Sequence, residues 1–267
     1  DALDRAVNRS LEALDDWEEL FDGDPVVLLK PNLLGPRGAE TAITTHPRLI
    51  ASVARVLRRV HRGRLLVGDG PAIGTTRMVA RPLGLPALLE PLDVELVDFT
   101  DTVSVSGGDG FGAFDLARPL MDADLVVNLP KVKTHGQMGL TLAVKNLFGA
   151  YIGFEKPRLH LTAGADRATF ARMLLETAVR VGADLHIADG VVGMEDNGPS
   201  SGDPRPLELI AASTAPVALD CALAEILGFP AEELPIQLEA RRRGMAGTRL
   251  EEIDLRGDPL DDFRVQD

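Results

Sequence analysis

The stretch "PKVKTHGQMGLTLAVKNLFG", positions 130–149, carries Lys131, Lys133, His135 and Lys145 and no acid. Lysine ammonium groups hold carboxylates and phosphates, and a lysine kept among apolar neighbours can act as base or nucleophile. Histidine moves protons near neutrality. Lys145 is bracketed by Leu142, Val144, Leu147 and Phe148, which makes it the candidate central catalytic group, with His135 as its acid–base partner. The plainer alternative for Lys145 is a surface lysine supporting a helix. Over 125–160, Lys131, Lys133, Lys145, Lys156 and Arg158 face Glu155 alone, in a chain whose net charge is −13. A positive island on a negative protein focuses small anions inward.

Further groups are expected to bind the substrate: Asn32, Lys131, Lys133, Thr141, Asn146 and His160. The spacing predicts a helix beginning at Thr141, with Thr141 and Lys145 one turn apart on a shared face. Its first-turn N–H groups would then complete an anion site beside the "KVKTH" segment. An Asn within a helix can instead bond to nearby backbone, which is the other reading of Asn146. His160 is read equally as structural or functional. His46 beside Pro47, His61 at a helix end and His186 within an apolar run are expected to be structural. Asp189 and Glu195, with Asp196 and Asn197 in one glycine-bounded segment and Asp220 further on, offer oxygen ligands for Mg²⁺ or Ca²⁺. His135, His160 and Asp189 would be the set for a transition metal. A solvated acidic loop is the alternative to either.

These residues need a frame. Apolar runs start at Val26, Arg64, Val94, Asp124, Asp184 and Leu207, most of them continuous rather than alternating, as in strands covered on both faces. Helical patterns lie between them over 47–61, 167–181, 216–227 and 231–243, with Pro47 and Pro216 suited to first turns. The fold expected is α/β: a mostly parallel sheet, helices on both faces, and a ligand cleft at the carboxyl ends of the strands. The segments over 30–33, 68–74, 98–102, 128–135 and 188–199 should line that rim as loops. The organisation expected is one α/β unit over 1–267, or two intimate lobes over 22–125 and 126–267, after an N-terminal helix over 1–21. "RLLVGDGPAIG" resembles a dinucleotide fingerprint, but Asp69 sets a carboxylate where a pyrophosphate would approach.

Composition narrows the classes. With 45% hydrophobic residues the chain can bury a full core, and it has no run of apolar residues long enough to span a bilayer. Its acidity argues against nonspecific nucleic-acid binding. Cys221 is alone, so neither an internal disulfide nor an intrachain iron–sulfur cluster is expected. No P-loop and no G-x-S-x-G elbow occurs. The chain opens on Asp1, so removal of an N-terminal segment is expected, and the location expected is cytoplasmic.

The blocks "KPNL…TTHP", "LPKVKTH…LTLAVKNLFG" and "DGVVGMEDNGP…AASTAPVALD" resemble the bacterial and archaeal family called domain of unknown function 362. Many of its members carry ferredoxin-like cysteine clusters, which this chain lacks, so a redox role would need a partner subunit. His135 and Lys145, ten residues apart with Thr141 between, also resemble the nickel-pincer lactate racemases, in which a lysine at that place carries the cofactor. "TTHPRLI" would match an upstream block of those enzymes, without its arginine, and their double glycine is absent.

Together these readings predict an enzyme that binds a small carboxylate or phosphate at a Lys/His cleft. Its chemistry would be proton or hydride transfer, of racemase/isomerase or oxidoreductase type. The alternative is a noncatalytic anion-binding module, or a metal or electron-transfer module. A metal ion is a candidate cofactor, no other cofactor is specified, and a homo-oligomer is a candidate assembly.

Overall fold

The computed structural model describes residues 1–108, 110–164 and 166–265. Its main sheet contains β1 (Val27–Pro31), β2 (Leu65–Val67), β3 (Val94–Leu96), β6 (Leu125–Leu129), β7 (Lys131–His135), β8 (Gly139–Thr141), β9 (Leu185–Glu195) and β10 (Asp203–Ser213). A separate hairpin joins β4 (Thr102–Ser106) to β5 (Ala113–Ala117). β3, β2, β1, β6 and β9 lie side by side and parallel, and β10 runs antiparallel along the far edge of β9. One sheet therefore joins strands from both sides of position 125.

Side-chain alternation explains why the runs are apolar throughout. Val27, Leu29, Leu65, Val67, Leu125 and Val127 point into one core, while Leu28, Leu66 and Val126 point into another. The first core is covered by α1 (Ala2–Glu12) and α2 (Pro47–Leu57), the latter through Leu49, Ile50, Val53, Val56 and Leu57. Short helices α3 (Thr76–Ala80) and α4 (Leu85–Leu89) add Val79, Ala80, Leu85 and Leu89 to the first core, and α5 (Arg118–Met121) and α6 (Ala143–Asn146) add Leu120 and Val144 to the second. The second core is covered mainly by α8 (Arg167–Val181), which follows α7 (Glu155–Ala163) and contributes Phe170, Leu174 and Leu175. α9 (Pro216–Ile226) and α10 (Pro235–Arg242) complete the fold. The predicted α/β architecture, with helices on both faces of a mostly parallel sheet, is the one observed.

Three local expectations are corrected. "KVKTH" is not a loop: Pro130 interrupts the chain for one residue, and β7 continues along the same edge of β9 that β6 occupies. Asp189 shows the geometry, lying opposite Lys131 on one side and Ile210 on the other. Nor is 188–195 a loop, because β9 runs through Glu195. Thr141 does not open a helix. It ends β8, which pairs antiparallel with β7, and the helix starts at Ala143. The β4–β5 hairpin has no counterpart among the predicted strands. α4 forms despite Pro86 because that proline falls in the first turn, where no intrahelical N–H is lost.

Candidate functional site

A cavity of about 250 Å³ lies where the chain leaves β1 and β2 and where β7, β8 and α6 meet. Lys133, His135, Thr141 and Lys145 line it together with Lys156 and His160 from α7, and Asn32, Asn146 and Phe148 complete much of its wall. The sequence-derived Lys/His set thus converges on one space, apart from Lys131.

Lys131 turns away from the cavity. Its Nζ is 2.8 Å from Asp189 Oδ2, both side chains are fully buried, and the backbone N–H of His46 donates to the same carboxylate oxygen at 2.7 Å. Glu195 pairs with Arg205 at 2.5 Å. Asp189 and Glu195, the proposed metal ligands, therefore each have a cationic partner. Among the described residues no three His, Cys, Asp or Glu side chains gather to hold a metal ion.

Lys133 is 1% exposed and has no carboxylate among its hydrogen-bond partners. Nζ donates to Asn32 Oδ1 at 2.9 Å and to the Ile43 carbonyl at 2.6 Å. A relay continues from there in one direction. Asn32 Nδ2 donates to Asn146 Oδ1 at 2.8 Å, Asn146 Nδ2 to Asn128 Oδ1 at 2.7 Å, and Asn128 Nδ2 to the Ala143 carbonyl and to His186 Nδ1, both at 3.0 Å. Asn32 and Asn146 line the cavity, yet their amides are engaged with each other, so they fix its walls. Burial, followed by the charges of Lys145 and Lys131, holds the Lys133 ammonium well below the usual lysine range.

Among the described residues that line the cavity, Lys145 is the lysine without a polar partner. Among the described residues its Nζ has neither a hydrogen bond nor an ion pair, and it lies 5.8 Å from the ring centre of Phe148 and 5.9 Å from that of Phe170. Burial, then the charge of Lys156, lowers its pKa to about 8. His135 departs from the expected near-neutral titration. Its Nδ1 accepts the N–H groups of Gln137 (3.1 Å) and Met138 (3.2 Å), which leaves the proton on Nε2. Burial, then Lys145, His160 and Lys133, lowers its pKa to about 3, so it serves as a neutral hydrogen-bond donor. His160 packs against Phe148 and Phe170 with centroid distances of 5.3 and 4.5 Å, and burial, then Lys145 and Lys156, lowers its pKa too. Thr141 contributes a buried Oγ1 with no hydrogen-bond partner among the described residues.

The expected helix anion site is already filled. Asp220 accepts the N–H groups of Ala143 (2.6 Å) and Val144 (3.1 Å), capping α6 from α9. His46 caps α2, its Nδ1 accepting Arg48 N–H, and His61 and His186 are fully buried.

Sequence reading missed the group beneath the cavity. Lys30, 0% exposed, donates to Asp69 Oδ1 at 2.6 Å and to the Asn146 carbonyl at 2.7 Å. The other Asp69 oxygen accepts Leu33 N–H at 2.8 Å. The signal was a lysine in a strand otherwise buried on both faces, which requires a buried partner. Gly149 closes over this pair, and a β-carbon there would collide with Asp69 Oδ1 and Lys30 Nζ. Gly70 likewise abuts the Gly149 and Tyr151 carbonyls. Gly68 and Gly70 of "GDGPAIG" thus serve close chain packing, and Gly74 adopts a positive φ. Lys156, outside the predicted site set, reaches in from α7 and donates to the Gly70 carbonyl. Burial comes first in lowering its pKa to about 8; Asp69 opposes that shift and Lys30 adds to it.

Fold and site together define an α/β protein with a small, cation-lined cavity. The chain belongs to the family described as domain of unknown function (DUF362), whose model matches residues 27–225. It is 40% identical over 225 residues to the thylakoid-associated protein sll1697 of Synechocystis sp., a match covering 84% of this chain and 70% of that one. Among solved structures it is similar in fold to the lactate racemase apoprotein of Thermoanaerobacterium thermosaccharolyticum, with TM-score 0.52, 14% identity and 79% of this chain covered. A Thermotoga maritima protein matches over 79% of the chain at TM-score 0.40 and 14% identity. The chain spans about half the length of these two solved proteins, 52% and 53%. No helix among the described residues is long and apolar enough to cross a membrane.

The cavity, about 250 Å³, falls below the roughly 300–1,000 Å³ of pockets that enclose drug-sized ligands.

Proposed function

We propose that the chain is an enzyme that binds a small organic anion in this cavity and moves a proton with Lys145. One observation carries the reading: Lys133, Lys145 and Lys156 line a single cavity whose one lining carboxylate, Asp69, is held by Lys30 and Leu33 N–H. That arrangement leaves uncompensated positive charge for a carboxylate or phosphate of the ligand. With a pKa of about 8, roughly a tenth of Lys145 is neutral near pH 7, enough to accept a proton from carbon or oxygen. His135 Nε2–H would donate to the oxygen on which negative charge develops. We further propose a cytoplasmic site of action, which cell fractionation would check.

The test has two arms. Calorimetry with inorganic phosphate, pyruvate and lactate should show binding that weakens at least about tenfold in Lys145→Met and in Lys156→Met, the loss of a charge-assisted contact. In D₂O, NMR of a panel of small carboxylates should show protein-dependent exchange of a carbon-bound proton that disappears in Lys145→Met. Binding without exchange leaves a noncatalytic anion-binding protein. Equal binding by wild type and the two variants overturns the reading altogether.

A further inference from the structure

Lys145 differs from the other buried or cavity-lining lysines in having nothing to do in the resting protein. Lys30 and Lys131 hold carboxylates, Lys133 donates to two neutral oxygens, and Lys156 donates to a carbonyl. Lys145 faces ring surfaces alone. Phe148 and Phe170 stand edge to face with centroids 5.6 Å apart, and His160 packs on both. These rings shield the amine from water on one side, while its other side opens to the cavity. Desolvation beside a second cation is the setting in which a lysine becomes a nucleophile toward carbonyl carbon.

We propose that Lys145 forms a Schiff base with a small 2-oxo carboxylate, a step that rests on the anion-binding reading above. The cavity supplies what such a substrate needs. Lys156 offers charge for the carboxylate, His135 Nε2–H can donate to the carbonyl oxygen, and the unpartnered Thr141 hydroxyl lies in the same wall. Lys133 is placed to handle protons. With two N–H bonds given to Asn32 and Ile43, its third nitrogen position is left to take up a proton and return it.

The step balances without an external reagent. Lys145 ammonium gives up one proton, and its lone pair forms the N–C bond as the carbonyl π pair moves to oxygen. A second proton passes from nitrogen to that oxygen, giving a carbinolamine. The first proton, returned from Lys133, lets the hydroxyl leave as water while the nitrogen lone pair forms C=N. One ammonium and one carbonyl become one iminium and one water, with no change in oxidation state.

Trapping decides the matter. Full-length protein is incubated with pyruvate, reduced with sodium borohydride, digested and mapped by mass spectrometry, with pyruvate binding measured on the same preparation. The expected result is one reduced pyruvyl group per chain, on Lys145, absent from Lys145→Met. In Lys156→Met, removal of the neighbouring charge should move the pH at which trapping is half-maximal upward. An adduct on the N-terminal amine or on any of Lys30, Lys131, Lys133 and Lys156 in place of Lys145, or equally abundant in Lys145→Met, overturns the proposal. Pyruvate binding without an adduct on Lys145 overturns the Schiff base and leaves the anion-binding reading standing. Absence of both adduct and binding overturns the two together.

Discussion

Lys133 Nζ reaches the side-chain oxygen of Asn32 at 2.9 Å across 101 positions of sequence, and that contact starts a relay through Asn146 and Asn128 to His186. Each of the three amides accepts from the group before it and donates to the group after it, so one orientation of Asn32, Asn146 and Asn128 fits the whole relay. Such a network holds a buried lysine still without giving it a counter-charge.

Replacing Asn146 tests that view. In Asn146→Leu, Asn32 Nδ2 and Asn128 Oδ1 lose their partners inside the protein. With about 1–3 kcal/mol for each buried unsatisfied group, stability should fall by about 2–4 kcal/mol. Urea unfolding gives the number, and a change below about 0.5 kcal/mol, the range of ordinary surface substitutions, would mean that the relay is not a unit.

Lys30 and Asp69 form the buried pair beneath the cavity, with Nζ 2.6 Å from Oδ1. Lys30→Met alone, or Asp69→Asn alone, should cost about 3–5 kcal/mol, since each strands a buried group. The double variant should cost clearly less than the sum of the singles. Additive losses in a double-mutant cycle would show that the two side chains act separately.

Lys145 gives a pH signature. Its pKa is lowered from 10.5 to about 8, so the folded protein binds this proton less tightly than the unfolded chain does. The resulting penalty is fully present below about pH 8, shrinks as pH rises from there, and is gone above the unfolded value of 10.5. Lys145→Met should therefore unfold at higher urea than wild type at pH 7, and the gap should narrow between pH 8 and 10. A gap independent of pH would separate the effect from this titration.

Asp220 ties α9 to α6 by accepting two first-turn N–H groups. Asp220→Ala should lose about 1–2 kcal/mol, as other helix caps do. Hydrogen exchange should speed up at the Ala143 and Val144 amides, two positions and one position before Lys145. Unchanged exchange there would remove Asp220 from the positioning of the site.

Much of the fold was legible because burial on both faces demands apolar residues at successive positions. "VLLKP", "LLV" and "LVVNL" are strands for that reason, and α8 occupies its predicted span, 167–181. The extension of β6 into β7 was not legible. A proline followed by alternating lysines reads as a turn, and only pairing with β9 makes it a strand. The β4–β5 hairpin escaped for a similar reason: "TVSVS" is polar on its open face and pairs with a partner across a glycine-rich turn.

By itself the sequence determined that positive charge is concentrated after the fourth apolar run of an acidic α/β chain, and that Lys145 sits among apolar neighbours. Tertiary structure decided which lysine does what. Lys131 and Lys133 are two residues apart on one strand, in the same kind of local sequence, yet Lys131 meets Asp189 and Lys133 meets Asn32 and Ile43. The environment of a buried charge is set by the groups within a few ångströms, and here those come from 58, 101 and 90 positions away. Neighbours along the chain carry no record of them.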